Sequence, residues 1–291
     1  MLSNKCGPGK ILMCAVHFYD TVQVEDFIRQ IRKLSLGLNG QIAIAIADNS
    51  RTWKDVGNKS DGFSVYTPKR NLGYLGGCSY ALEGWIQETG EFPAWVGVVN
   101  TDLEFASDFF LRLSLLEVPE DVGILAPAIT RLRDGSQQNP YFSRRPSRTR
   151  VLAYTVIWRS AILTYCLQSS VKLRRDLKRR VSTLSRTKRG RVSVQNGLTM
   201  KEIYSAHGSA VFLRDEYFKR GASLQYKGFM FGEEFHLAEQ TRRVGLKVYW
   251  DPALRVIHKE HKSTGQLMKK QVRKWAGKSA QVVWSEYFSK H

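Results

Sequence analysis

With 291 residues, 43% of them hydrophobic and 24% charged, the chain is long enough for one large α/β domain or two modest ones and has a globular, not a disordered, composition. Its net charge of +19 is concentrated: Arg144 to Arg191 holds fifteen Lys and Arg against one acid, Asp176, leaving +5 for the other 243 residues. Such a local patch needs an anionic partner, a membrane surface, a nucleic acid or a polyanionic substrate, and its confinement weighs against nucleic acid. Cys6, Cys14, Cys78 and Cys166 show no CxxC spacing, so neither a zinc knuckle nor a disulfide framework is indicated. Reduced thiols in a cytosolic protein are the simplest account. The opening MLSNKCGPGK lacks the apolar core of a signal peptide.

In chain order, Lys10–Tyr19 reads as a strand. The helix after it has apolar residues spaced at Val24, Phe27, Ile28, Ile31 and Leu34. Gln41–Ser50 is a second strand and FSVYTP a third. The glycine-rich NLGYLGG reads as a turn, followed by a helix over CSYALEGWIQETG. AWVGVVNTD and DVGILAPAI supply further strands. This alternation predicts an α/β fold with a mostly parallel sheet flanked by helices, in which ligands bind beyond the carboxyl ends of the strands. Asp48, Asn71 and Asp102 all fall at or just after such ends.

Val151–Leu167 is an apolar run of 17 residues interrupted by Arg159, short of the ~20 a spanning helix needs. With the cationic residues after it, it reads either as a surface-lying amphipathic helix or as a core-packing one with a basic tail. SRTKRGRVSVQNG reads as a loop. HGSAVFLRDEYFKRGA then has a strand-to-helix pattern, and Glu233 and Glu234 fall in the first turn of the next helix, where the dipole favours carboxylates. LKVYWDPALRVIH is a last strand passage ending on His258, and Lys274–Phe288 reads as a terminal helix. The expected organisation is an N-terminal half (1–143), a basic amphipathic insertion (144–200), and a C-terminal half with a helical tail (201–291).

Each motif alone has a plain structural explanation: Asp102 as a turn residue, Glu233–Glu234 as a solvated helix start, His258 as a structural histidine. NLGYLGG is neither a dinucleotide fingerprint nor a phosphate loop. Their order is more specific. DNS (48–50), RNLGYLGG (70–77), NTD (100–102), GSAVFLRDEYFKRG, FMFGEEFHL and DPALRVIHKEHKST follow one another. Over roughly residues 10–143 and 201–265 this resembles the family 2 inverting glycosyltransferases of the GT-A fold, especially the branch containing bacterial rhamnosyltransferases.

The resemblance implies that Asp48 accepts a hydrogen bond from the pyrimidine base. It places Arg70 and Asn71 against the nucleotide, with Gly73, Gly76 and Gly77 permitting close backbone approach. Asp102 takes the last acidic position of the family's DxD motif, Asn100 the first, and His258 completes the contacts to Mg²⁺ or Mn²⁺. Glu234 stands at the Asp of the family's ED pair as general base, longer by one methylene, so Glu233 shares or exchanges that role. His236 replaces a family Asp and would bring charge near the site, while Arg242 and Arg243 face phosphate or make surface ion pairs. The implied reaction carries a sugar from a dTDP- or UDP-linked donor (dTDP-rhamnose or a UDP-hexose) to a hydroxyl of a glycan or lipid-linked glycan, in cell-surface polysaccharide assembly. The implied location is cytoplasmic, peripheral on an anionic membrane through residues 144–191, without nucleic acid. The altered acidic positions motivate an alternative, a nucleotidyltransferase or catalytically impaired nucleotide-sugar binder on the same scaffold. An NAD-dependent oxidoreductase is disfavoured, because HFYD and no glycine turn follows the first strand.

Overall fold

A computed structural model describes residues 9–38, 40–53, 62–160, 163, 199–260 and 269–289. The chain forms two compact units, Met1–Arg145 with Thr199–Lys262, and Pro146–Leu198 with Ser263–His291. The strands are β1 (Ile11–His17), β2 (Ile42–Asp48), β3 (Phe63–Tyr66), β4 (Trp95–Val99), β5 (Leu103–Phe105), β6 (Val122–Arg131), β7 (Lys201–Ile203), β8 (Ala210–Arg214) and β9 (Lys247–His258). The helices are α1 (Thr21–Leu34), α2 (Gly73–Thr89), α3 (Phe109–Leu115), α4 (Arg148–Arg159), α5 (Asp215–Lys219), α6 (Glu233–Arg243) and α7 (Lys269–Val283), with α4 and α7 in the second unit.

The first unit is built on a nine-stranded sheet in the order β3-β2-β1-β4-β8-β6-β9-β5, with β7 also paired to β9. β1 to β4, β6 and β9 run one way; β5, β7 and β8 run against them. The sheet is therefore mostly parallel, and helices cover both faces. β1 is buried almost throughout, as a strand covered on two sides must be. On one face pack Val24, Phe27, Ile28 and Ile31 of α1 with Phe109, Phe110 and Leu113 of α3. On the other pack Leu75, Cys78, Leu82 and Trp85 of α2, Tyr217 of α5 and Leu237 of α6.

Two local features set the functional edge. Asp20 caps α1 by accepting from the Gln23 amide at 3.1 Å. α2 begins at Gly73, inside the segment the sequence suggests is a turn. The reason is tertiary: Asn49, just past β2, accepts from the Leu72 amide at 3.2 Å and donates to the Gly73 carbonyl at 2.8 Å. Asn71 also accepts from the Gly73 amide at 2.8 Å. These bonds tie the glycine-rich stretch to the sheet and seed a helix there. β5, α3 and β7 have too few residues to show periodicity.

In the second unit α4 buries Val151 and Thr155 while Leu152 and Val156 stay 43% and 53% exposed. On α7, Lys270, Lys274 and Lys278 are exposed at four-residue intervals along one face, opposite buried Ala276, Ser279 and Val283. α7 belongs to the second unit, where Gly277 lets it lie against the Trp158 backbone of α4. α4 ends at Arg159, with Ser160 extended, so the apolar run is not one continuous helix to Leu167. Most of the basic stretch, including SRTKRGRVSVQNG, lies outside the described residues, as do Cys6, Cys166 and Asp176. No helix among the described residues is long and apolar enough to cross a membrane.

Candidate active site

One edge of the sheet gathers the polar residues. β1, β2 and β4 are parallel, so His17, Asp48 and Asn100 leave the core together. β8 runs the other way, so its start, not its end, reaches the same edge, and the Asn100 amide donates to the Ser209 carbonyl at 2.8 Å. β9 ends there on His258, opposite Leu103 and Arg131.

Asp48 is fully buried. Its Oδ1 lies 2.8 Å from His17 Nδ1 and accepts from the Ser50 hydroxyl and the Ser50 and Arg51 amides; its Oδ2 accepts from the Trp53 amide at 2.8 Å. Burial pushes its pKa up, but the bonds from Trp53, His17 and Ser50 outweigh it and the carboxyl ends below its ordinary value. The carboxylate thus organises the 49–53 turn before it meets any ligand.

Arg70, exposed, lines a cleft with Asn71 and Gly76. The glycines serve the protein's own packing. A Cβ on Gly73, whose φ is +75°, would overlap the Phe229 carbonyl. A Cβ on Gly77 would come within 2.7 Å of Val16 Cγ2 and 3.1 Å of the Asn49 amide nitrogen, and one on Gly76 would meet Leu72 Cβ at 3.2 Å.

Asp102 is buried, its Oδ1 3.3 Å from His258 Nε2. The amide nitrogen of Gln138 donates to Glu260 at 3.2 Å, which turns its oxygen toward His258 Nδ1 at 2.8 Å. Nδ1 therefore donates, and in the neutral ring Nε2 presents a lone pair beside the carboxylate. An imidazole lone pair and a carboxylate oxygen converging in this way fit a shared hard cation, with Gln138 orienting the ring as outer-shell partners do. His207, its ring centroid 6.0 Å from that of His258, accepts from the Ser209 amide at Nδ1, so its neutral form carries the proton on Nε2. Burial, then His258 and Arg131, push its pKa down to about 4 against the pull of Asp102.

Glu233 and Glu234 follow Phe231 and Gly232, both at positive φ (70° and 83°). That kink turns the start of α6 into the site. Both carboxyls are reached by some solvent yet closely surrounded by protein. Burial and then the neighbouring Glu234 push Glu233 up to about 8. Burial also raises Glu234, opposed by backbone hydrogen bonds at Glu234, Gly208 and Gly232. A Cβ on Gly208 would lie 3.2 Å from both Glu234 Oε1 and Glu233 Cγ. The Tyr74 hydroxyl donates to the Gly208 carbonyl at 2.9 Å; burial, Cys78 and the fields of Glu233, Asp102 and Glu234 hold its proton on. The two acidic clusters thus meet on the His207–Gly208–Ser209 segment.

Other residues lie elsewhere. His236 is buried, with Nε2 3.1 Å from the Ser223 carbonyl. Arg242 lies 4.0 Å from Glu239, which Arg145 and the Tyr204 hydroxyl also bind. Asn49, Tyr74, Gln138 and His207 escape a reading by motif, although Asn49 and Tyr74 sit inside quoted motifs and His207 directly precedes one.

No family model matches the sequence, and no curated protein matches it. Among solved structures, GalNAc-T7 with UDP, GalNAc and Mn²⁺ is similar at 12% identity and a TM-score of 0.49, over 86% of this chain and 43% of that one. The chain thus spans less than half of that protein. The mannosyltransferase PcManGT from Pyrobaculum calidifontis, in complex with GDP-Man and Mn²⁺, is similar at 11% identity and a TM-score of 0.51, over 100% of this chain and 78% of that one. The latter likeness places the first unit's architecture in the GT-A fold.

Proposed function

We propose that this protein is an inverting glycosyltransferase that moves a sugar from a nucleoside-diphosphate donor to a hydroxyl of a glycan or lipid-linked glycan. The observation that carries this reading is the convergence of Asp102–His258 and Glu233–Glu234 on the His207–Ser209 segment, at the sheet edge where α/β folds bind ligands.

Asp102 and His258 would hold a divalent cation, Mg²⁺ or Mn²⁺. Among the described residues no group of three or more His, Cys, Asp or Glu offers a complete metal cage, so diphosphate oxygens would finish the shell. When bound, the ion neutralises charge on the departing diphosphate. Arg70 and Asn71 would contact the nucleotide, and the turn organised by Asp48 would frame its base. Glu234, steadied by the Gly208 and Gly232 backbone, would take the acceptor proton as the oxygen attacks, a contribution of roughly 10²–10⁴-fold in rate. Burial and Glu234 raise the pKa of Glu233, which would favour a single charge on the pair. Attack opposite the leaving group in one step inverts the anomeric centre. dTDP-rhamnose and UDP-hexoses are the donors to try first, and the second unit's basic helices would keep the enzyme on the cytoplasmic face of an anionic membrane.

The test is nucleotide release from a panel of dTDP-, UDP- and GDP-sugars, with and without Mn²⁺. One donor should turn over in the presence of metal, and Glu234→Gln should bind that donor while losing at least about 100-fold in turnover. Full turnover by Glu234→Gln would remove it as the base; silence with every donor would overturn the reading.

A further inference from the structure

A cleft of about 880 Å³ opens between α2 and residues 225–229, the segment that leads in sequence to the two glutamates. That volume is within the range of small-molecule sites and more than one hexose fills. One face of α2 supplies Gly76, Ser79, Tyr80 and Glu83 at intervals of three, one and three, so all four look into the cleft. Tyr80 stands 37% exposed, an aromatic ring offered to solvent with polar neighbours on its own helix. The Ser79 hydroxyl donates to Glu83 at 3.1 Å.

The facing wall is pre-set. The Tyr226 hydroxyl donates to the Phe231 carbonyl at 2.9 Å, and its ring stands 5.0 Å from the His236 ring. Gly228 lies under that ring so closely that a Cβ would come within 2.3 Å of it. From Tyr226 the chain turns through Phe231 and Gly232 straight into Glu233 and Glu234, so the cleft wall and the proton acceptors belong to one short segment. An aromatic platform flanked by a carboxylate, a hydroxyl, amides and the cations Arg70 and Lys227 offers a pyranose both stacking and hydrogen bonds. Its C–H face stacks on the electron-rich ring and its hydroxyls donate to the rim.

We propose that this cleft is an acceptor subsite for an oligosaccharide, with a pyranose ring stacked on Tyr80 one residue behind the hydroxyl that is glycosylated. The assignment rests on the glycosyltransferase reading and names its acceptor class: a glycan of at least two sugars. Arg70, Asn71 and Gly76, assigned above to the donor, line the same cleft, so donor and acceptor share that wall.

The experiment compares nitrophenyl monosaccharides with the corresponding nitrophenyl disaccharides as acceptors, using whichever donor the wild-type enzyme hydrolyses. The wild type should prefer disaccharides by about tenfold in kcat/KM, the worth of one well-placed aromatic contact. Tyr80→Ala, a surface change that spares the core, should bring the ratio near one through the disaccharide KM. Gly228→Ala, which displaces Tyr226, should lower the ratio as well. A wild type without length preference, or a Tyr80→Ala enzyme that keeps it, overturns the subsite while donor hydrolysis still upholds the reaction. A wild type that hydrolyses no donor overturns both.

Discussion

At Gly208 the absence of one methyl decides whether two carboxylates can stand side by side. Gly208→Ala should cost activity more than stability, because the new Cβ meets Glu234 Oε1 and Glu233 Cγ at 3.2 Å. The expected result is a drop of at least about tenfold in kcat with the melting temperature nearly kept, read by nucleotide release and calorimetry. Glu233 carries a stability signature as well. Its folded pKa of about 8 lies above the ordinary 4.5, so the folded state holds the proton more tightly than the unfolded chain. Its contribution is whole below about 4.5 and is lost as pH climbs to about 8. Glu233→Gln removes that titration, so its melting temperature should gain on the wild type between those pH values and hold the gain above. A constant offset from acid to alkaline pH would show that burial does not shift this group. Asp102 and Glu234 were both legible in the sequence as carboxylates after a strand and at a helix start. His207 was not, because its position depends on β8 running antiparallel to β4, with its start at this edge.

Among elements, the start of α2 does most to shape the site. Gly73, Gly76 and Gly77 each pack closely against the protein's own atoms there. Gly73→Ala combines a left-handed φ of +75° with an overlap on the Phe229 carbonyl, and should destabilise by about 2–4 kcal/mol. Chemical denaturation would measure this, and a loss under 1 kcal/mol would mean that residues 225–229 move aside at little cost. The strands β1, β2, β4 and β6 were readable because each is an apolar run buried on both faces. The helix start was not, since Asn49, from a neighbouring strand end, decides it.

For the whole molecule, charge and chemistry are divided between two units. The acidic residues of the candidate site lie in the first; the second carries the exposed lysines of α7 and the exposed Leu152 and Val156 of α4. If this unit meets anionic lipid, Lys270→Gln, Lys274→Gln and Lys278→Gln together should weaken vesicle binding by up to about 100-fold, at about 1 kcal/mol for each lysine. Moderate salt should release the wild type, and equal binding to neutral vesicles would refute the electrostatic part. Composition and motif order determined the α/β class, the confinement of charge and the acidic residues worth examining, because these depend on residue type and local spacing alone. Only the tertiary structure decided that Asp102 and Glu234 share one edge, that His236 belongs to the core, and that the C-terminal helix joins the basic insertion. Those outcomes depend on strand direction and on side chains arriving from distant parts of the chain, and neither leaves a periodic trace in the sequence.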